Sequence, residues 1–215
     1  MLEFKGGSNV KKLAMLFLIF SALTYGFQAE VVGIHFSPKG GCTDAIVQQI
    51  DEAQKEIKIM IYSFTSDAIA QALLQALIRN VAVEIIIDEG NDKLRYSQTD
   101  LLRQNGIKVY IDGREIIHHN KVIIIDQEIV ITGSFNFSKA AEQKNAENLI
   151  ILKSAELASI YLANYELHKE HSYLVGAQNI EQIREKILFD IQEEQSSTQT
   201  ELNYSATPEA TTVRE

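Results

Sequence analysis

At 215 residues the chain is long enough for one domain with a buried core and short appendages. Its hydrophobic share of 46% and charged share of 23% are those of an ordinary globular protein, and its net charge of -9 argues against broad, tight binding along a nucleic-acid backbone, which needs clustered Lys and Arg. The single cysteine, Cys42, excludes an intrachain disulfide and a cysteine-built metal cluster, and the five histidines show no H-E-x-x-H or other familiar metal spacing.

The charge is unevenly spread. Residues 1–29 carry a balance of +2 and residues 181–215 a balance of -5, which leaves about -6 on the body between them. Lys11 and Lys12 precede an apolar run over 13–27 broken only by Ser21 and Thr24. That is the pattern of a signal peptide or an uncleaved N-terminal membrane anchor over 1–29, shorter than the ~20 apolar residues of a spanning helix. It predicts export, to the periplasm or to the outer face of the inner membrane.

The body, residues 30–175, then alternates strands and helices. A strand is expected over 31–36, a turn over 37–41, and a helix over 43–55 with Ile46, Val47 and Ile50 on one face. A strand over 57–62 leads to a helix capped by Ser66 or Asp67 and running to about 79. A buried strand over 81–88 is followed by a loop opening at Gly90, a helix over 94–104 stopped by Asn105-Gly106, and a strand over 107–111. Three strands follow at 119–125, 129–132 and 148–152, with a loop or short helix over 138–144 and a long amphipathic helix over 154–171. This order predicts an α/β sandwich: a mixed sheet with helices on both faces. His168 and His171 lie three apart on that last helix and read as polar residues on a solvated helix end, not as metal ligands. Beyond the boundary at Val175-Gly176, an apolar stripe of Ile180, Ile183, Ile187, Leu188 and Ile191 predicts an extra amphipathic helix over 176–191. Residues 192–215 read as a disordered acidic and polar tail.

The stretch His118-His119-Asn120-Lys121, running into the apolar 122–125 and Asp126, is where chemistry-bearing residues interrupt the core pattern. On an extended strand His119 and Lys121 point to the same face, a nucleophile or base beside a fixed positive charge. His118 faces the other way and reads as structural or marginal to a site. The spacing His119-x-Lys121-x4-Asp126, followed by Gly133-Ser134-x-Asn136 and then Glu147, resembles the phospholipase D superfamily, and within it the small single-motif bacterial endonucleases. Tyr62-Ser63-Phe64-Thr65 and Ile86-Ile87-Asp88-Glu89 read like the same subfamily, so the resemblance covers roughly residues 31–173.

These residues suit attack on a phosphodiester. Lys121 neutralises non-bridging oxygens, Asn136 donates to them, Ser134 adds a donor, and His119 attacks to form a phosphohistidine. No metal and no other cofactor is required. Glu147 fits the role of fixing the imidazole tautomer, and the resemblance implies the same for the matching glutamate. Asp126 is included in the catalytic set, although its odd offset from Lys121 turns it away and suits bracing better than contact with phosphate. Ser134 reads equally as a turn residue after Gly133, and Glu147 also reads as a surface charge. Tyr62, Ser63 and Phe64 either line the cleft or pack a strand end. Superfamily members use two motif copies, and this chain has one, so the resemblance implies a homodimer whose two His119 residues share one site. The expected activity is metal-independent endonuclease action on DNA, RNA or both. The alternatives are a phospholipase D or cardiolipin hydrolase and a non-catalytic nucleic-acid-binding dimer. Membrane attachment through the N-terminal segment fits the first alternative as well as the nuclease.

Overall fold

Runs of isoleucine and valine decide where the strands fall. In the computed structural model, which describes Gly26 and residues 28–175, eight strands form one sheet. They are β1 (Glu30–Ser37), β2 (Glu56–Ile61), β3 (Ala82–Asp88), β4 (Lys108–Asp112), β5 (Lys121–Ile125), β6 (Ile129–Gly133), β7 (Glu147–Lys153) and β8 (Tyr173–Leu174). The helices are α1 (Cys42–Glu52), α2 (Asp67–Ile78), α3 (Glu89–Asp92), α4 (Thr99–Gln104), α5 (Lys139–Gln143) and α6 (Ala155–His171). The sheet order is β1-β7-β6-β5-β2-β3-β4-β8. The β2, β3 and β4 strands run parallel, as βαβ connections require, and the other pairs are antiparallel. The mixed sheet flanked by helices is the architecture the sequence predicts. The expected segments 1–29, 176–191 and 192–215 lie almost wholly outside the described residues.

Period-two alternation divides the core between the two faces. Ile57, Ile59, Ile61, Ile85, Ile87 and Ile123 pack with α1 and α2 in one cluster. Met60, Ile86, Val122, Ile124 and Val130 pack under α6 through Ala158 and Tyr165 in the other. Burial of each such aliphatic side chain contributes about 1.5–3 kcal/mol. The central strand β5 is buried along its whole length. On the α6 face Glu84 accepts hydrogen bonds from Lys58, Lys108, Lys169 and the Tyr165 hydroxyl.

Three local expectations change. The helix expected over 94–104 is confined to α4, because the Gln98 amide donates to the Phe64 carbonyl at 3.0 Å and its side chain to Asp67 at 2.7 Å. Long-range bonds thus hold the residues before Thr99 out of the helix. The loop expected at Gly90 holds the single turn α3, capped by the Asp88 carboxylate on Asn91, with Arg103 of α4 paired to Asp92. The two-residue edge strand β8, antiparallel to β4, has no sequence signal long enough to read.

Candidate active site

Strand register brings the motif residues to one end of the sheet. Lys121, first in β5, pairs with Ile61, last in β2; Gly133, last in β6, pairs with Leu149; Glu147, first in β7, pairs with Ser37, last in β1. This end carries the carboxyl termini of the parallel strands, where α/β sheets open their ligand crevices. His119 is not on the strand as expected, because β5 starts at Lys121. Its exposed imidazole lies against Tyr62, ring centroids 4.5 Å apart, and its carbonyl accepts from the Lys121 ammonium at 2.8 Å. Lys121 thus folds back on the His119 backbone, and the Tyr62 ring contacts both side chains.

Lys121 is only 8% exposed, and among the described residues no carboxylate comes within ion-pair distance of it. Its Nζ sits 5.0 Å over the Tyr62 ring. Burial pulls its pKa down, and the charge of Glu147 opposes that. A buried cation without an ionic partner is costly unless an anion joins it. Asn136 is half-buried, and its Oδ1 is buried with no partner among the described residues. Its loop is fixed by its neighbour Phe137, which donates its amide to Ser63 and accepts from the Thr65 amide.

The turn into that loop needs glycine. Gly133 has φ +147, and a Cβ there would lie 2.2 Å from the Asn148 carbonyl oxygen. Ser134 and Asn148 clamp each other: the Ser134 amide donates to the Asn148 carbonyl at 3.1 Å, and Ser134 Oγ accepts from the Asn148 amide at 3.1 Å. The Ser134 hydroxyl keeps its own proton to donate. Glu147 is half-buried, its amide on Ser37 Oγ at 3.2 Å and its carboxylate on Asn145 Nδ2 at 3.0 Å. No hydrogen bond joins it to His119 within the described chain.

Asp126 is a correction. It lies at the other end of β5 from Lys121, about 17 Å along the strand at ~3.3 Å per residue. With φ of 53 and 58, Asp126 and Gln127 are the central residues of the turn in the three-residue β5–β6 connection, closed by the Glu128 amide on the Ile125 carbonyl. Its carboxylate accepts from the amides of Gln54, Lys55 and Glu56 at 2.7–2.9 Å, bracketing the entry to β2. It takes no part in the site.

His118 is structural, as its opposite facing suggests. It is 2% exposed, with Nδ1 2.9 Å from Asp112 and its amide donating to Asp88 at 3.0 Å. His168 and His171 are corrected: their side chains are 17% exposed and converge on buried Asp112, with Glu115 beside them. Burial pushes the Asp112 carboxyl up, but the Arg114 amide and the His168 bond outweigh it and bring it to about 2. Sequence reasoning missed this group because its members are distant in the chain; its only signal was D-x-x-E paired with H-x-x-H. Tyr62, which sequence left undecided, touches both His119 and Lys121 and also lines a cleft of about 490 Å3. Asp88, Glu89 and Glu115 give that cleft an acidic wall, and Leu94, Ile116 and Ile117 an exposed apolar rim.

A family profile described as "Cardiolipin synthase, PLD-like domain" matches residues 46–168. A Rickettsia bellii protein named phospholipase D is 46% identical over 130 residues, 60% of this chain and 65% of that protein. The mouse mitochondrial cardiolipin hydrolase is 32% identical over 114 residues, 53% of this chain and 52% of that protein. The chain thus spans less than two thirds of the length of either. The crystal structure of Nuc from Salmonella typhimurium, a phospholipase D family member, superposes with a TM-score of 0.66 at 36% identity, covering 69% of this chain and 99% of that one.

Proposed function

The chain belongs to the phospholipase D-like family, and on that premise we propose that it is a phosphodiester hydrolase in which His119 attacks phosphorus. The observation that carries this reading is Lys121, a buried ammonium held against the His119 carbonyl with no ionic partner among the described residues. A substrate phosphate supplies the missing anion. His119 forms the N–P bond as the P–O bond to the leaving group breaks, and Asn136 and Lys121 hold the non-bridging oxygens. A second imidazole protonates the leaving oxygen and then activates the water that cleaves the phosphohistidine.

The second imidazole is His119 of another copy. Across the bulge at Val32, Val31, Ile34 and Phe36, 53%, 56% and 64% exposed, lie on one face of edge strand β1, which ends at Ser37, the partner of Glu147. An apolar face that runs up to the site fits a second copy seated there. A strictly monomeric chain with full activity would remove this part of the proposal.

The substrate we propose is nucleic acid, in line with the resemblance to small single-motif endonucleases and with the match along 99% of Nuc. The apolar rim of Leu94, Ile116 and Ile117 favours a second reading, a phospholipid substrate. The N-terminal pattern of Lys11, Lys12 and the apolar 13–27 supports export for either substrate, to be checked with a periplasm-specific reporter fusion. The decisive assay offers single- and double-stranded DNA, RNA and cardiolipin vesicles to the full chain in EDTA, with His119→Ala as control. Cleavage of nucleic acid that is lost in His119→Ala supports the first reading, and cleavage of lipid alone the second. Equal turnover by wild type and His119→Ala overturns both.

A further inference from the structure

We propose that Asp112, Glu115, His168 and His171 form a binding site for a zinc-like divalent transition metal that ties the loop preceding His119 to the end of α6. The four come from three places in the chain: the last residue of β4, the loop after it, and two positions one helical turn apart on α6. One ligand atom from each lies within 4.8 Å of all the others. His168 Nδ1 is 2.9 Å from Asp112 and 3.9 Å from Glu115; His171 Nε2 is 3.2 Å from Asp112 and 3.5 Å from Glu115. A tetrahedral ion with bonds of about 2.0–2.1 Å needs ligand separations of about 3.3 Å, the middle of that range.

The chemistry of the donors points the same way. Two imidazoles and two carboxylates suit a borderline ion such as Zn2+ better than Ca2+ or Mg2+, which take oxygen ligands. Two carboxylates beside two neutral imidazoles carry two negative charges, which one divalent ion neutralises. The Asp112 side chain is fully buried, and His118 Nδ1 stands 2.9 Å from its Oδ2, the outer hydrogen bond that metal-binding carboxylates characteristically keep. His118 stacks edge-on against His168 at 4.8 Å, and its Nε2 is buried with no partner among the described residues. Arg114 Nη1 donates to His171 Nδ1 at 3.3 Å, and this exposed side chain swings away when Nε2 takes the metal and Nδ1 carries the proton. Through His118 the ion would act one residue from His119, as a positioning element and not as a participant at phosphorus. The proposal stands whether or not the chain is a phosphodiesterase.

The test uses the untagged full chain, stripped with chelator and titrated calorimetrically with Zn2+, with Co2+ as the spectroscopic probe. One equivalent of Zn2+ per chain is expected, with intense tetrahedral d–d bands for Co2+. At zinc a hundredfold above Kd, Tm should rise by about 5–10 °C. Glu115→Gln, in an exposed loop, should fold normally and weaken binding at least tenfold, on the scale of one lost ligand. The His168→Gln/His171→Gln double variant, checked for fold by circular dichroism, should lose binding, and His119→Ala should keep it. No uptake by wild type at micromolar zinc would overturn the proposal and leave a histidine–carboxylate hydrogen-bond network. Equal binding by wild type and Glu115→Gln, or loss of binding in His119→Ala, would overturn it as well.

Discussion

Replacing Lys121 by Met separates what this residue does for the fold from what it does for the reaction. Bringing the ammonium to 8% exposure costs several kcal/mol. The hydrogen bond to the His119 carbonyl returns about 1.5–3 kcal/mol and the Tyr62 ring about 0.5–2 kcal/mol. These nearly cancel, so a methionine of similar shape should leave Tm unchanged or raise it by about 2–4 °C for each kcal/mol gained. Turnover should fall about 10²–10³-fold, the cost of one lost donor to developing charge. The pH dependence gives an independent check. Burial lowers the native pKa of Lys121, so between that value and the unfolded 10.5 the unfolded chain binds more protons. Wild-type stability should therefore rise relative to Lys121→Met as pH climbs through that window. Paired thermal melts and single-turnover cleavage decide the matter. A variant destabilised by more than about 2 kcal/mol, with a rate loss no larger than its unfolded fraction explains, would refute the reasoning and make Lys121 a structural residue.

Burial raises the Glu84 carboxyl, but Lys169, Lys58 and Lys108 outweigh it and hold it at about 2 against 4.5 unfolded. Its stabilisation, on the order of 3 kcal/mol, is complete above about pH 4.5 and lost as pH falls toward 2, so urea melts should show the gap between wild type and Glu84→Gln closing on acidification. Asp126→Asn should cost about 1–3 kcal/mol through its three amide bonds, yet leave turnover per folded molecule intact; a selective loss of rate would return Asp126 to the site. Gly133→Ala puts a Cβ 2.2 Å from the Asn148 carbonyl at positive φ, so chemical denaturation should register a loss of about 1–3 kcal/mol or more, accompanied by lower activity as Ser134 and Asn136 shift.

Chelation bears on both proposals, and the readouts keep them apart. EDTA should lower Tm if the Asp112–His168 group holds metal, while hydrolysis measured well below Tm persists. Loss of hydrolysis at unchanged Tm would count against the metal-free chemistry proposed for His119.

Amino-acid order by itself determined the alternation of strands and helices, the helix starts at Ser66 or Asp67 and at Ser154, and the motif from His119 to Glu147. These rest on short-range physics: β-branched runs, side-chain caps and residue periodicity act within one element. Tertiary structure decided which motif residues meet. Asp126 is five residues from Lys121 and lies at the wrong end of the sheet, because a strand carries each residue about 3.3 Å onward. Gly133 and Glu147 are farther away in sequence but belong to the same end, because antiparallel register folds them back. His168 reaches Asp112 across 56 residues of chain, a pairing no local pattern encodes. Lys121 was legible as a charge; that it is buried, with no carboxylate in ion-pair reach among the described residues, follows only from the strands packed around it.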